Sequence, residues 1–203
     1  MKQEGPWGFV ARVAVSPFYR SMVFTVRPLE TGDAGGQLPP VAGGFGTQSD
    51  IDMIAKLNPR STPTALRARL ERGERCYLAS VDGKAVSCRW VGAGEARLGE
   101  RDPVLCLHCD EAYVYQIYVR PEYRGKGINS LVRSVFDRDL IRLGFKTQVG
   151  FVMPGRAPWG RDNPHLVATI HTLHLGPFHK FWVRAYGPQA DYWRERLKEL
   201  RWG

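Results

Sequence analysis

The segment that most constrains this chain is Val-Arg-Pro-Glu-Tyr-Arg-Gly-Lys-Gly-Ile-Asn, Val119 to Asn129. It reads as an apolar strand that ends at Pro121, a turn carrying Gly125 and Gly127, and an amphipathic helix that begins directly afterwards. Glycine lets the main chain fold closely around a ligand there. The first amides of the helix have no partners within it and point outward as donors. With the helix dipole and the side chains of Arg124 and Lys126, they make an anion site whose natural guest is a pyrophosphate. The order is not Gly-x-x-x-x-Gly-Lys-Ser/Thr, which argues against a nucleoside triphosphate loop, and there is no Gly-x-Gly-x-x-Gly for a dinucleotide.

The rest of the chain supplies elements in a regular order. Ser21 to Glu30 reads as a strand, followed by a loop-rich stretch dense in glycine and proline from Gly32 to Gly46. Ile51, Ile54 and Leu57 recur at helical spacing within Thr47 to Leu57. A second helix has Thr62 as cap, Pro63 at its first position, Leu66 and Leu70 on one face, and Gly73 as its stop. From Cys76 to Val91 the period is that of strands, turning at Asp82-Gly83. A polar loop from Gly92 to Pro103 leads into Val104 to Val119, as one long strand or two short ones. In the helix from Gly127, Ile128, Leu131, Val132, Val135, Phe136, Leu140 and Leu143 share one face, and Gly144 supplies the stop. Lys146 to Met153 returns as a strand. Pro164 to Leu175 is predicted as a helix capped by Asp162 or Asn163, Phe178 to Tyr186 as a strand, and Asp191 to Trp202 as a closing helix with Trp193, Leu197 and Leu200 inward.

A chain of 203 residues, 43% of them hydrophobic, suits one compact domain with an ordinary core. Its net charge of +9 admits nucleic acid, a membrane surface or an acidic ligand. The basic residues are scattered among acids rather than gathered in an aromatic-studded stripe, so no nucleic-acid partner is expected. No apolar run is long enough to span a membrane, and Phe9 to Val15 is too interrupted for a secretory signal, so no membrane partner and a cytoplasmic location are expected. The four cysteines fit a reducing compartment as free thiols. Cys106 and Cys109 form a single Cys-x-x-Cys without a second ligand pair, so no metal is expected.

Arg124-Gly-Lys-Gly-Ile-Asn129 resembles the acyl-CoA signature of the GNAT superfamily of N-acyltransferases, Gln/Arg-x-x-Gly-x-Gly/Ala, with Arg124, Gly127 and Asn129 at the three defined positions. Asn129 departs from the pattern. The phrase Pro-Glu-Tyr-Arg-Gly-Lys-Gly and the preceding Tyr113 to Pro121 are also similar to the family. The resemblance implies an α/β (α+β) GNAT fold over residues 41–203. Its central mixed, mostly antiparallel sheet would splay between the fourth and fifth strands, with helices on both faces. Residues 1–40 would be an N-terminal extension or extra strand with a Gly/Pro-rich loop.

The same resemblance implies acetyl-CoA, or another acyl-CoA, as co-substrate. Ile117, Tyr118 and Val119 would lie along the pantetheine arm, and the amides of Arg124, Gly125, Lys126, Gly127, Ile128 and Asn129 around the pyrophosphate. The acceptor implied first is a small-molecule amine that attacks the thioester directly. A protein or peptide amine, and a non-catalytic acyl-CoA-binding module, are the alternatives; a homodimer is compatible with each.

An ammonium cannot attack, so a base must take its proton, and an acid can protonate the departing thiolate. Many members use a glutamate on the strand before the signature. That register falls on Tyr113, with Glu111 two residues earlier on the same face, so both are candidates. The acid in many relatives is a tyrosine one helical turn before a Gly-Phe pair. Counting back from Gly176 gives Thr172, flanked by His171 and His174, whose spacing on a helix would put them on neighbouring faces. The stretch Pro154 to Asp162, with Arg156, Trp159 and Arg161, looks like an insertion able to cover the acceptor site.

Overall fold

The computed structural model describes residues 19–30, 41–58, 61–97, 103–153, 165–175 and 177–202. The readings made for Phe9 to Val15, for most of the Gly/Pro-rich stretch and for Pro154 to Asp162 lie outside them. In chain order the elements are β1 (Tyr19–Pro28), β2 (Val41–Phe45), α1 (Ile51–Leu57), α2 (Pro63–Glu71), β3 (Arg75–Val81), β4 (Lys84–Gly92), β5 (Glu95–Arg97), β6 (Pro103–Cys106) and β7 (Glu111–Val119). Then come α3 (Ile128–Arg142), β8 (Thr147–Val152), β9 (Leu166–Leu175), β10 (Phe178–Ala185), α4 (Ala190–Arg196) and β11 (Arg201–Trp202). Two compact units divide them: the described residues of Arg27–Ala96 with Cys106–Gly150, and those of Met1–Val26, Arg97–Leu105 and Phe151–Gly203.

The first unit is a mixed sheet in the order β8-β7-β4-β3-β2. All neighbours run antiparallel except β7 and β8. Asp82 and Gly83 both have positive φ, 50° and 72°, the turn that matches the twist of β3 and β4. On one face α1 and α2 pack Ile51, Ile54, Leu57 and Leu66 against Cys76, Cys88 and Trp90. On the other, α3 packs Phe136 and Leu140 against Tyr77, Val91 and Val114, and Ile128 and Val132 against Ala79, Val81 and Val86. The Thr62 hydroxyl accepts from the Ala65 amide, and Pro63 opens α2, as its sequence dictates.

Two details of this unit differ from the sequence reading. Val41–Phe45 is a strand paired with β3, although its glycines read as a loop. The reason lies in packing: a Cβ on Gly43 would stand 2.4 Å from the Tyr77 hydroxyl oxygen, so glycine here admits a neighbouring ring rather than a turn. In α3, Leu143 is exposed past the helix end while Asp137 is buried in its place. Asp137 takes both Nη atoms of Arg27, at 2.6 and 2.8 Å, and Arg27 also donates to the Gln148 side chain.

The second unit has an antiparallel sheet in the order β10-β9-β1. Pro164 to Leu175 is therefore not a helix: Leu166–Leu175 is a strand. Ala168, Ile170 and Thr172 are buried while Val167, Thr169 and His171 are half-buried, a period of two that outweighs the helical spacing of its larger apolar residues. The expected placement of His171 and His174 on one helix is corrected with it, and a count by helical turns no longer selects Thr172. The closing helix is shorter than expected, ending at Arg196, with Trp193, Leu197 and Leu200 buried as predicted. β11 pairs with β6, and Trp193 meets Phe24 edge-on at 5.5 Å. Among the described residues no helix is long and apolar enough to cross a membrane.

Candidate active site

β7 is paired with β4 from Tyr113 to Val119 apart from a bulge, while its other edge is paired over its first residues only. Toward β4 the register runs Gly92 to Tyr113, Val91 to Val114 and Trp90 to Tyr115, then resumes at Cys88 to Tyr118 and Ser87 to Val119. The extra residue forms a bulge at Gln116, whose φ is +46°. Toward β8 the parallel pairing among the described residues covers Glu111, Ala112 and Tyr113 and goes no further. From Val114 to Val119 no described strand of this unit pairs with that edge, an arrangement suited to strand-like addition of an extended ligand. Ile117 is 50% exposed there.

The open edge leads into the glycine turn. A 3-10 turn at Pro121–Tyr123 precedes Gly125 and Gly127, with φ of +72° and +73°. Gly127 is the N-cap of α3, and its carbonyl accepts from Ser130 and Leu131. Among the described residues, no main-chain carbonyl takes the amides of Gly125, Lys126, Gly127, Ile128 or Asn129. Arg124 folds back, its Nε donating to the Val119 carbonyl at 2.9 Å and its guanidinium over the Tyr118 ring. Asn129 turns its side chain to the buried Arg89, whose Nη2 donates to Oδ1 at 3.1 Å. The loop thus combines outward donors, two left-handed glycines and a positive helix end, and these fit a diphosphate. Beside the end of β7, Met53, Lys56, Leu57, Lys84, Ala85 and Arg120 line a cavity of about 340 Å³.

Around the bulge lies a cluster that sequence reasoning largely missed. The Tyr113 and Tyr115 rings stack at 4.9 Å, and the Tyr115 hydroxyl donates to the Glu74 carboxylate. Glu74 also pairs with Arg72 at 2.7 Å. Arg69 lies over the rings of Trp90 and Tyr115 and donates to the Gln116 side chain at 2.6 Å. Burial, and then the Glu74 charge, raise the pKa of Tyr113, so it stays a neutral phenol. Glu74 stands in Arg-Gly-Glu-Arg, which reads as surface loop, and nothing in Gln116 marks a positive φ. Of this cluster only Tyr113 is marked in the sequence, at the strand position where many relatives carry a glutamate.

The side chains that the sequence points to are divided between the two units. Glu111 and Tyr113 stand on β7, as do Ile117, Tyr118 and Val119, with Arg124 to Asn129 following. The buried Glu111 carboxylate accepts the His108 amide at 2.9 Å. His171 and His174 belong to β9 in the other unit. The His171 ring lies stacked on Tyr19 and Trp182, with Nδ1 2.5 Å from the Tyr19 hydroxyl. His174 meets His179 at 3.0 Å between ring nitrogens, beside Trp202. Among the described residues no three His, Cys, Asp or Glu side chains gather as a metal site. Cys76 and Cys88 are buried, whereas Cys109 is exposed.

Burial, then the charge of Arg184, hold the pKa of His171 below its ordinary value of 6.5. The unfolded chain therefore binds this proton first as pH falls. The contribution of His171 to stability is complete above the unfolded pKa and is lost as pH drops through the lower folded one. Urea unfolding between about pH 7.5 and pH 5 is expected to show a steeper loss in the wild type than in His171→Phe. Parallel curves for the two would show that His171 titrates alike in both states.

Residues 49–145 match the Acetyltransferase (GNAT) family. No curated protein matches the chain. A conserved protein of unknown function from Staphylococcus epidermidis is similar over 77% of this chain and 61% of its own, with 9% identity and a TM-score of 0.50. The glucosamine N-acetyltransferase region of a fungal multi-domain β-N-acetylglucosaminidase is similar over 73% of this chain and 20% of that protein, with 12% identity and a TM-score of 0.51. A ribosomal-protein-alanine N-acetyltransferase from Brucella melitensis is similar over 59% of this chain and 83% of its own, with 22% identity and a TM-score of 0.44. The likeness to the first two is one of fold, and the chain covers 61% of the staphylococcal protein's length.

Proposed function

We propose, from the match of residues 49–145 to the Acetyltransferase (GNAT) family, that this chain transfers an acetyl group from acetyl-CoA to a small-molecule amine, by direct attack on the thioester. The observation that carries the reading is the β7 edge left open from Val114 to Val119 and running into a loop of outward amides. Acetyl-CoA, when bound, supplies the acyl group in activated form. The amides from Gly125 to Asn129 hold its diphosphate, and Ile117, Tyr118 and Val119 offer main-chain partners to the pantetheine arm. Lys56, Lys84 and Arg120 around the neighbouring cavity add positive charge where the loop begins.

At about 3.3 Å per strand residue, an extended arm of roughly 15 Å reaches back about five residues from Arg120, to Tyr115 and Gln116. Glu74 is the proton acceptor in this reading. Its carboxylate already holds the Tyr115 hydroxyl, so a proton taken from the acceptor ammonium by the Tyr115 oxygen moves the tyrosine's own proton to Glu74. Tyr113, kept neutral by burial, offers its hydroxyl as a hydrogen-bond donor to the departing thiolate. The Glu111 carboxylate is already engaged by the His108 amide. A half-hidden carboxylate beside stacked tyrosine rings suits a small ammonium group.

Titration calorimetry with acetyl-CoA, followed by thiol release against small amines and against peptides, tests the proposal. Saturable binding and release on small amines are expected, and Glu74→Gln is expected to slow release about 100-fold with unchanged acetyl-CoA affinity. Absence of binding overturns the reading. Release on peptides alone moves the acceptor class to peptides.

A further inference from the structure

We infer that Arg89, held by Asn129, is a buried positioning cation for the anion site: the residue that departs from the acyl-CoA signature tethers a charge that glycine or alanine there has no atom to hold. The inference rests on the reading of the Gly125 to Asn129 loop as a diphosphate site.

Arg89 stands on β4 between the Cys88 to Tyr118 and Trp90 to Tyr115 pairs, opposite the bulge in β7. It is 2% exposed, and its Nε is buried without a hydrogen-bond partner. Among the described residues its hydrogen bond goes to Asn129 Oδ1, a neutral acceptor, and its guanidinium lies 4.9 Å from the centre of the Phe136 ring. The nearby Asp137 is shared, because Arg27 donates to both of its carboxylate oxygens. Burial is the main reason that the Arg89 pKa is lowered to about 10; the charges of Asp137 and Tyr77 oppose the shift, and those of Arg27 and Arg133 add to it. A buried guanidinium with an amide oxygen as partner is a costly arrangement in a protein that binds nothing. It becomes favourable when a multiply charged anion sits at the adjacent helix end, where the amide of Asn129 is itself one of the donors. Asn129 then has two tasks, its main chain facing the ligand and its side chain fixing the cation beneath it.

The test is calorimetry with coenzyme A at several salt concentrations, together with thermal unfolding without ligand, on wild type, Arg89→Met, Asn129→Ala and the double variant. Arg89→Met is expected to bind coenzyme A about tenfold more weakly and with a shallower salt dependence, while its unliganded Tm stays level or rises. Asn129→Ala, at an exposed position, is expected to weaken binding about fivefold and to lower Tm, with the double variant no weaker than Arg89→Met alone. Arg89→Met affinity within about twofold of wild type, or an unchanged salt slope, overturns the inference, as does a loss of affinity in Arg89→Met that is accompanied by a fall in its Tm. If Arg89→Met does not fold, unchanged affinity in Asn129→Ala overturns it. A wild type that fails to bind coenzyme A sinks the functional reading instead, so the two failures are distinct.

Discussion

Gly127→Val is expected to weaken coenzyme A binding by at least about 100-fold while leaving the fold largely in place. At φ of +73° the N-cap of α3 lies in the left-handed region, where a β-branched side chain is strained. The main chain relieves that strain by rotating, and the amides of Gly127, Ile128 and Asn129 turn with it. The control is Gly144→Ala at the other end of the same helix, where φ is +92° and the added Cβ meets no atom within 4 Å. It is expected to cost about 1 kcal/mol of stability with unchanged affinity. Calorimetry and urea unfolding on both variants separate the loss of a ligand site from the loss of a helix cap. Near-normal binding by Gly127→Val would mean that the ligand takes its donors from elsewhere.

Asp137→Ala is expected to lower stability by about 3 to 5 kcal/mol, more than truncation of a typical surface acid. Asp137 is 2% exposed and Arg27 8%, so removing the carboxylate leaves a buried guanidinium with the Gln148 oxygen and the Pro28 carbonyl as partners. Arg89, also buried, then repels it through protein rather than water. Replacing both partners, as Arg27→Met with Asp137→Leu, is expected to recover most of the loss, because the cost arises from the orphaned charge. Urea unfolding gives the numbers directly. A deficit below about 1 kcal/mol for Asp137→Ala would mean that water reaches Arg27.

What the sequence revealed depends on how far apart the determining residues lie. The helix from Pro63 is legible because Thr62, Pro63, Leu66 and Gly73 carry its cap, entry, buried face and stop within one short segment. The Asp82-Gly83 hairpin and the turn from Arg124 to Asn129 are legible for the same reason. β2 is not, because its glycines answer to the Tyr77 ring on another strand rather than to a turn of their own. β9 misleads because Val167, Ile170 and Leu173 keep helical spacing while burial follows alternation. The cluster of Arg69, Glu74, Tyr115 and Gln116 joins a helix, the residue after a turn and a strand, so no local pattern announces it. Arg89 and Asn129 are separated by 40 residues, and the asparagine reads only as a blemish in a motif until its partner is seen.

The bulge at Gln116 sets a parity along β7. Tyr115 and Tyr118 are an odd number of positions apart, yet both pack against the cluster formed by α1 and α2, because the extra residue inverts the phase of the strand between them. Loss or gain of a single residue there would send Val119 and the turn beyond it to the opposite side of the sheet. The two halves of the strand, one bearing Tyr113 and Tyr115 and one leading through Tyr118 to the glycines, are therefore geared together and tolerate length changes only in even steps.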